Sequence, residues 1–291
     1  MARVETTKLT DWICDLMPNW APLEIGGFQY LEGGYNNQNY RFRYKGRQFV
    51  LRVPTADCGF THRRLEVEFY RQSFALGAPL TPTVCGYCEV SGRMITEWVS
   101  GHLLADLSVD CEHLALMLRQ LHAALERLPV QTEPAPVRRY DPVKYARDAL
   151  ANTAAPGWLK ALAEAMTWDP PRWMLCHNDL NPWNLIRDSE NRWVTLDWEW
   201  LAANDPMFDL VALHQGAGLA GAPSSNIGSL REFAESYADE PVSEARLRAC
   251  RSAYWLRETA WAAAALARGE SRAEIKVQYQ LGLEWLSLLE R

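Results

Sequence analysis

Residues 173–199 constrain the fold of this chain more than any other stretch. Trp173-Met174-Leu175-Cys176 is a short apolar run leading into the polar loop His177-Asn178-Asp179-Leu180-Asn181-Pro182-Trp183-Asn184. Leu185-Ile186, the turn Asp188-Ser189-Glu190-Asn191 and Trp193-Val194-Thr195-Leu196 then read as a β-hairpin. Asn184 closes the loop before the first strand, and Asp197 lies just beyond the second. A hairpin folds its ends together, so Asn184 and Asp197 are expected to be neighbours although Asp197 comes thirteen positions later. Asp179 stands five residues before Asn184. A lone Asp or Asn in a loop usually makes turn hydrogen bonds. The joint spacing points further. Phosphoryl transfer from ATP requires one carboxylate to accept a hydroxyl proton and two oxygen ligands to hold magnesium. The pattern predicts Asp179 as the base and Asn184 with Asp197 as the metal ligands.

Composition narrows the class without naming the reaction. At 291 residues the chain can bury a large core, as one large or two small domains. With 48% hydrophobic and 23% charged residues it reads as an ordinary globular protein, not a disordered one. A net charge of −6 argues against a general nucleic-acid surface. The N-terminus lacks an apolar signal core and no 18-residue apolar run is present, so neither export nor a membrane span is expected. Seven scattered cysteines suggest reduced thiols in the cytoplasm. Cys85-x-x-Cys88 has no second pair at zinc spacing and reads as structural.

The first hundred residues read as mostly β. Tyr40, Phe42 and Tyr44 alternate with Arg41 and Arg43, Lys45-Gly46-Arg47 turns the chain, and Phe49, Leu51 and Val53 alternate again. Arg52 therefore lies on the opposite face of its strand, where its planar guanidinium can meet a phosphate or a carboxylate in a bidentate way. Ahead of this hairpin, paired Gly33 and Gly34 precede Tyr35-Asn36-Asn37-Gln38-Asn39. Such glycines let a backbone approach phosphates closely, and a plain turn has the same signature. Arg93 to Val99 reads as the last strand of this region, broken at Ser100-Gly101, with helical periodicity expected soon after. Leu114, Met117, Leu118, Leu121, Leu125 and Leu128 form a helical stripe stopped near Pro129, and His122 within it reads as a packing or surface residue.

The loop and hairpin resemble the catalytic loop and metal segment of the aminoglycoside phosphotransferase and choline kinase superfamily. The His-Asn-Asp version with Asp-Trp-Glu after the hairpin is most similar to bacterial choline, ethanolamine and thiamine kinases. That resemblance implies an α+β, protein-kinase-like, two-lobed fold. Residues 1–100 would form a β-rich nucleotide-binding lobe with a hinge near 96–101. Residues 102–291 would form a mainly helical catalytic lobe, with a Pro-rich surface linker around 129–142. Position by position, Asp179 resembles the catalytic base, and Asn184 and Asp197 resemble the magnesium ligands. His177 resembles the loop's structural histidine, and Asp209 in Phe208-Asp209-Leu210 resembles a buried brace. Gly33, Gly34, Asn36, Asn37 and Asn39 resemble the ATP loop. Arg52 resembles the phosphate-facing cation, paired with Glu66 or alternatively Glu68. Backbone groups between Thr96 and Val99, Glu97 and Val99 among them, would meet adenine.

The acceptor is the least explicit part. Only eleven residues separate Asp197 from Asp209, and no Ala-Pro-Glu segment follows. That leaves no room for a peptide platform and predicts a small-molecule alcohol. A cationic amino alcohol such as choline is the expected acceptor, with ethanolamine, thiamine, an aminoglycoside or a sugar as alternatives. A different class, a kinase-like module without turnover, is opposed by the presence of Asp179, Asn184 and Asp197 together. Glu199 is a candidate for a metal-bound water or the substrate cation. Tyr254 to Trp261 resembles the tryptophan-bearing helix of choline kinases, with Ala264 where a second cage tryptophan is expected. Trp261 is the first choice to cover a cationic head by cation–π attraction. Trp255, also a candidate, lies about one and a half turns earlier and should point elsewhere.

Overall fold

Tyr40, Phe42, Tyr44, Phe49, Leu51 and Val53 do share one sheet face, and that face builds the first core. The computed structural model describes residues 4–55, 63–75, 81–128, 138–219 and 227–289. These divide into two compact units. The first takes its described residues from Met1–Leu104, Arg127–Pro136 and Trp183–Leu201, the second from Ala105–Glu126, Val137–Pro182 and Ala202–Arg291.

The first unit begins with helix α1 (Thr6–Leu16) and carries strands β1 (Ile25–Leu31), β2 (Asn37–Tyr44) and β3 (Arg47–Pro54), helix α2 (Arg63–Ala75), and strands β4 (Val84–Tyr87) and β5 (Met94–Glu97). The strands form an antiparallel sheet in the order β1-β2-β3-β5-β4. Its apolar face packs with Ile95 against Leu9 and Ile13 of α1, and Trp20 stacks on Tyr44 at 4.0 Å between ring centres. Alternation sends Asn37, Asn39 and Arg52 to the other face, with Asn39 directly opposite Arg52 across the β2–β3 ladder.

A second, three-stranded sheet corrects one expectation. Helix was expected soon after Ser100-Gly101, but Gly101–Leu103 forms strand β6 first. It pairs with β8 (Leu185–Asp188), which pairs in turn with β9 (Trp193–Thr195). The foreseen hairpin thus offers a free edge that the chain leaving β5 fills. This pairing also places Trp183–Leu201 in the first unit, whereas a boundary after residue 101 would assign it to the second.

The second unit contains α3 (Cys111–Glu126), α4 (Pro142–Leu150), α5 (Gly157–Ala165), β7 (Met174–Cys176), β10 (Ala202–Asn204), α6 (Pro206–Leu219), α7 (Leu230–Ala238), α8 (Glu244–Ala267) and α9 (Ala273–Ser287). The leucine stripe of α3 is buried as its spacing implies. The Pro-rich stretch falls largely on 129–137, outside the described residues. At its far end Asp141 caps α4 through the amides of Val143 and Lys144, with Pro142 at the first helical position, so helix starts at 142. Strand β7 pairs with β10, and α8 packs against α4, α6 and α9. No helix among the described residues is long and apolar enough to cross a membrane. The described cysteines are free thiols, and Cys85 packs against the first core.

A side chain on Gly101 would place its Cβ 2.2 Å from the Arg187 carbonyl oxygen. Gly101→Ala is therefore expected to destabilise the protein by about 1–3 kcal/mol through forced backbone displacement. A lower urea midpoint would register this, and an unchanged midpoint would show that the β6–β8 edge relaxes freely.

Candidate active site

In the first unit the glycine-containing loop is closed by side chains from the end of the hairpin. Gly34 lies so near the following strand that a Cβ would sit 2.2 Å from the Asn37 carbonyl oxygen, and Gly33 has φ 111°. Only glycine allows this fold-back. Asn36 and Asn37 then donate their side-chain amides to Glu199, to Oε1 and Oε2 respectively, each at 3.1 Å. Glu199 was a candidate for an acceptor or metal-water contact. Instead it is buried and gives both oxygens to the loop. Burial pushes its carboxyl up, against the pull of Arg52 and the two amides.

Arg52 is buried on β3 and forms a bidentate pair with Glu66 of α2, Nη1 to Oε1 at 2.6 Å and Nη2 to Oε2 at 2.9 Å. The Tyr87 hydroxyl adds a third donor to Glu66 at 2.8 Å. Glu68 is half exposed and faces Arg71 and Gln72, so the partner of Arg52 is Glu66. Burial disfavours the Arg52 charge, but Glu66 outweighs it and holds the guanidinium firmly protonated. Nη1 also reaches Asp197 Oδ1 at 3.3 Å.

Asp197 has left-handed backbone, φ 57°, just before the short turn Trp198–Trp200. That strain is tolerated by Asp and is held in place by Trp198, fully buried against Phe69. The Leu196 amide donates to the Asn184 carbonyl at 2.8 Å, so the end of the hairpin holds residue 184 against the residue that precedes Asp197. Asn184 and Asp197 both offer oxygen, and the Asp197 side chain is 33% exposed. This donor set fits a hard cation such as magnesium. At the end of β5, the amides of Glu97 and Trp98 donate to Thr83 and Gln48 carbonyls, Glu97 pairs with Arg47, and Val99 lies past the strand.

In the second unit, the loop after β7 is fixed by buried polar groups. Asp209 on α6 accepts the backbone amides of His177 (2.8 Å, Oδ2) and Asn178 (2.7 Å, Oδ1), and His122 Nε2 lies 3.1 Å from Oδ2. His122 is thus part of the buried brace, with its Nδ1 2.7 Å from the Tyr237 hydroxyl. Asn178 has φ 66°, and its side-chain amide donates to the carbonyls of Cys176 and Ala202, both at 3.2 Å. The Asp179 amide donates to His177 Nδ1 at 3.2 Å.

One residue without an assigned role comes forward. Arg257 on α8 is buried and donates from Nη1 to Asp179 Oδ1 at 3.1 Å and from Nη2 to the Asn178 carbonyl at 3.2 Å. Its Nη2 also lies 2.8 Å from Glu258 Oε1. The signal in the sequence is a cation inside the aromatic, apolar run Tyr254-Trp255-Leu256. Trp261 lies one helical turn beyond Arg257 and is half-buried, packed at the Ala262, Ala265 and Ile275 cluster. Trp255 is interior. Its indole donates to Gln215 Oε1 at 3.0 Å and stacks on Trp285, which removes it from the acceptor candidates.

The sequence profile of the phosphotransferase enzyme family matches residues 27–249, and the chain belongs to that family. Protein LicA of Haemophilus influenzae is 24% identical over 202 residues, spanning 65% of this chain. The chain spans 58% of the length of that curated relative. The crystal structure of choline kinase LicA from Streptococcus pneumoniae superposes with a TM-score of 0.71 at 19% identity, covering 97% of this chain and 98% of that one. A spectinomycin phosphotransferase solved with ADP and spectinomycin gives a TM-score of 0.64 at 13% identity, covering 96% and 94%. The fold is the protein-kinase-like, α+β fold of these phosphotransferases, as the loop and hairpin implied.

Arg52→Met would leave Glu66 buried without its cation and is expected to cost about 3–5 kcal/mol. Adding Glu66→Leu should recover a large part of that loss in urea unfolding. A loss in the double variant equal to the sum of the losses in Arg52→Met and in Glu66→Leu alone would show that the pair is not energetically coupled.

Proposed function

We propose that this chain is an ATP- and magnesium-dependent kinase of a small cationic alcohol of the choline and ethanolamine class, acting in the cytoplasm. The observation that carries the reading is the loop around Asp179, whose backbone is pinned by Asp209 and whose Oδ1 is engaged by Arg257. A carboxylate held this firmly is suited to orient a hydroxyl and take its proton during in-line attack on the terminal phosphate of the nucleotide.

The remaining residues take supporting roles in this reading. The Gly33–Asn39 loop, closed by Glu199, covers the nucleotide phosphates, and Arg52 presents a fixed positive charge toward them. Glu97 and Val99 contribute backbone groups to adenine, within a nucleotide lobe of residues 1–100. Asn184 and Asp197 hold magnesium, which when bound neutralises charge on the phosphates. His177 and Asp209 brace the loop. Tyr254, Arg257, Glu258 and Trp261 recur at helical spacing on α8, so a carboxylate and aromatic rings share the helix face that reaches Asp179. That stripe supports a cationic acceptor.

ADP release measured over choline, ethanolamine, thiamine, an aminoglycoside and a neutral sugar tests the acceptor class. A cationic amino alcohol is expected to rank first, and a neutral sugar outperforming every cation would overturn the class. Asp179→Asn should retain ATP binding and lose at least ~10²-fold in turnover. Near-normal turnover would remove the base assignment.

If Trp261 covers the cationic head, Trp261→Ala should raise the acceptor KM by roughly tenfold, as a ~1–2 kcal/mol cation–π loss implies. The ATP KM should hardly change. An unaltered acceptor KM would return Trp261 to the α8–α9 packing.

A further inference from the structure

The Arg257 guanidinium reaches two consecutive residues of the loop by different groups. Nη1 donates to a side-chain oxygen, Asp179 Oδ1, and Nη2 to a main-chain oxygen, that of Asn178. A fork that bonds both the carboxylate and the backbone just before it fixes the carboxylate's rotation as well as its position. Burying such a cation is costly unless it is paired. Here Glu258 at 2.8 Å supplies the second anion, and Gln278 holds the other oxygen of Glu258. Phe208 and Tyr254 lie beneath the guanidinium plane, 5.9 and 6.0 Å from ring centre to Cζ. The arrangement leaves Arg257 little freedom.

We propose that Arg257 is a positioning residue for phosphoryl transfer: by holding Asp179 Oδ1 and the Asn178 carbonyl together it fixes the rotation of the carboxylate that takes the acceptor's hydroxyl proton. The proposal rests on Asp179 being the base. The Asn181 side-chain amide lies 3.5 Å from Oδ2 and 3.2 Å from the Asp179 carbonyl. In the step itself the hydroxyl proton passes to the Asp179 carboxylate as the acceptor oxygen bonds to phosphorus and the bond from phosphorus to the ADP oxygen breaks. Arg257 exchanges no proton. It keeps the carboxylate in one rotamer, and loss of that alignment is the kind of misplacement that costs about 10²-fold in rate.

The test compares Arg257→Ala, Arg257→Lys and Asp179→Asn with the unaltered protein. ADP release is followed with the alcohol that ranks first in the panel, and thermal melts are run alongside. Arg257→Ala is expected to lower kcat by about 10²-fold while the ATP KM stays within about twofold. Added methylguanidinium should restore part of its turnover and none of that of Asp179→Asn. Arg257→Lys keeps the charge and loses the fork, so it should fall between. It carries the test if the alanine variant does not fold. Unchanged kcat in Arg257→Lys and Arg257→Ala, beside an inactive Asp179→Asn, would overturn the inference alone. Near-normal turnover in Asp179→Asn would instead overturn the base assignment beneath it. Failure of both Arg257 variants to fold, or parallel losses in kcat and ATP affinity without rescue, would assign Arg257 to the core and overturn the proposal.

Discussion

The carboxylate of Asp209 is the interaction on which the second unit's loop conformation depends. The loop after β7 must leave regular pairing to present Asp179, and at Asn178 it turns through left-handed backbone. That exposes two consecutive amides, of His177 and Asn178, in a fully buried setting. Left unpaired, each would cost about 1–3 kcal/mol. Asp209 takes one on each oxygen, and charge-assisted bonds of this kind are stronger than neutral ones. The loop is thus held from beneath by Asp209, and from α8 by Arg257.

The first unit solves a similar problem with an ion pair. Arg52 sits on the polar face of a sheet whose other face is a dense aromatic and aliphatic core. A buried guanidinium is tolerable there because Glu66 meets it with two oxygens and Tyr87 supports Glu66 in turn. The same guanidinium touches Asp197, so the strained residue after the hairpin is tied to the sheet. Glu199, two residues later, is tied to Asn36 and Asn37. Strand, helix, loop and hairpin end are therefore joined through polar side chains bonded to one another.

Much of this was legible in the sequence because it is local. Strand alternation placed Arg52 opposite Phe49, Leu51 and Val53, and the hairpin's turn residues predicted that 184 and 197 would meet. Helical spacing separated Trp255 from Trp261. What stayed hidden depends on partners far apart in the chain. Strand β6 exists because β8 offers an edge some eighty residues later, so three residues without strong strand preference gave no local sign of it. The role of Glu199 needs Asn36 and Asn37, more than a hundred and sixty residues away. Arg257 could be noticed as a cation in an apolar helix, but its partners lie almost eighty residues earlier in the chain, in the loop it meets.

Charge balance around Asp179 bears on the proposed acceptor. Arg257 stands between two carboxylates, Asp179 and Glu258, so one positive charge faces two negative ones. Burial pushes the Glu258 carboxyl up, and Asp179 pushes it further, while Arg257 pulls it down. The guanidinium alone does not fully offset its neighbours. Burying this group of charges is tolerable because each carboxylate lies within reach of the same guanidinium. A quaternary or primary ammonium differs here in kind: the first can be held only by charge and ring faces, the second also by hydrogen bonds to a carboxylate.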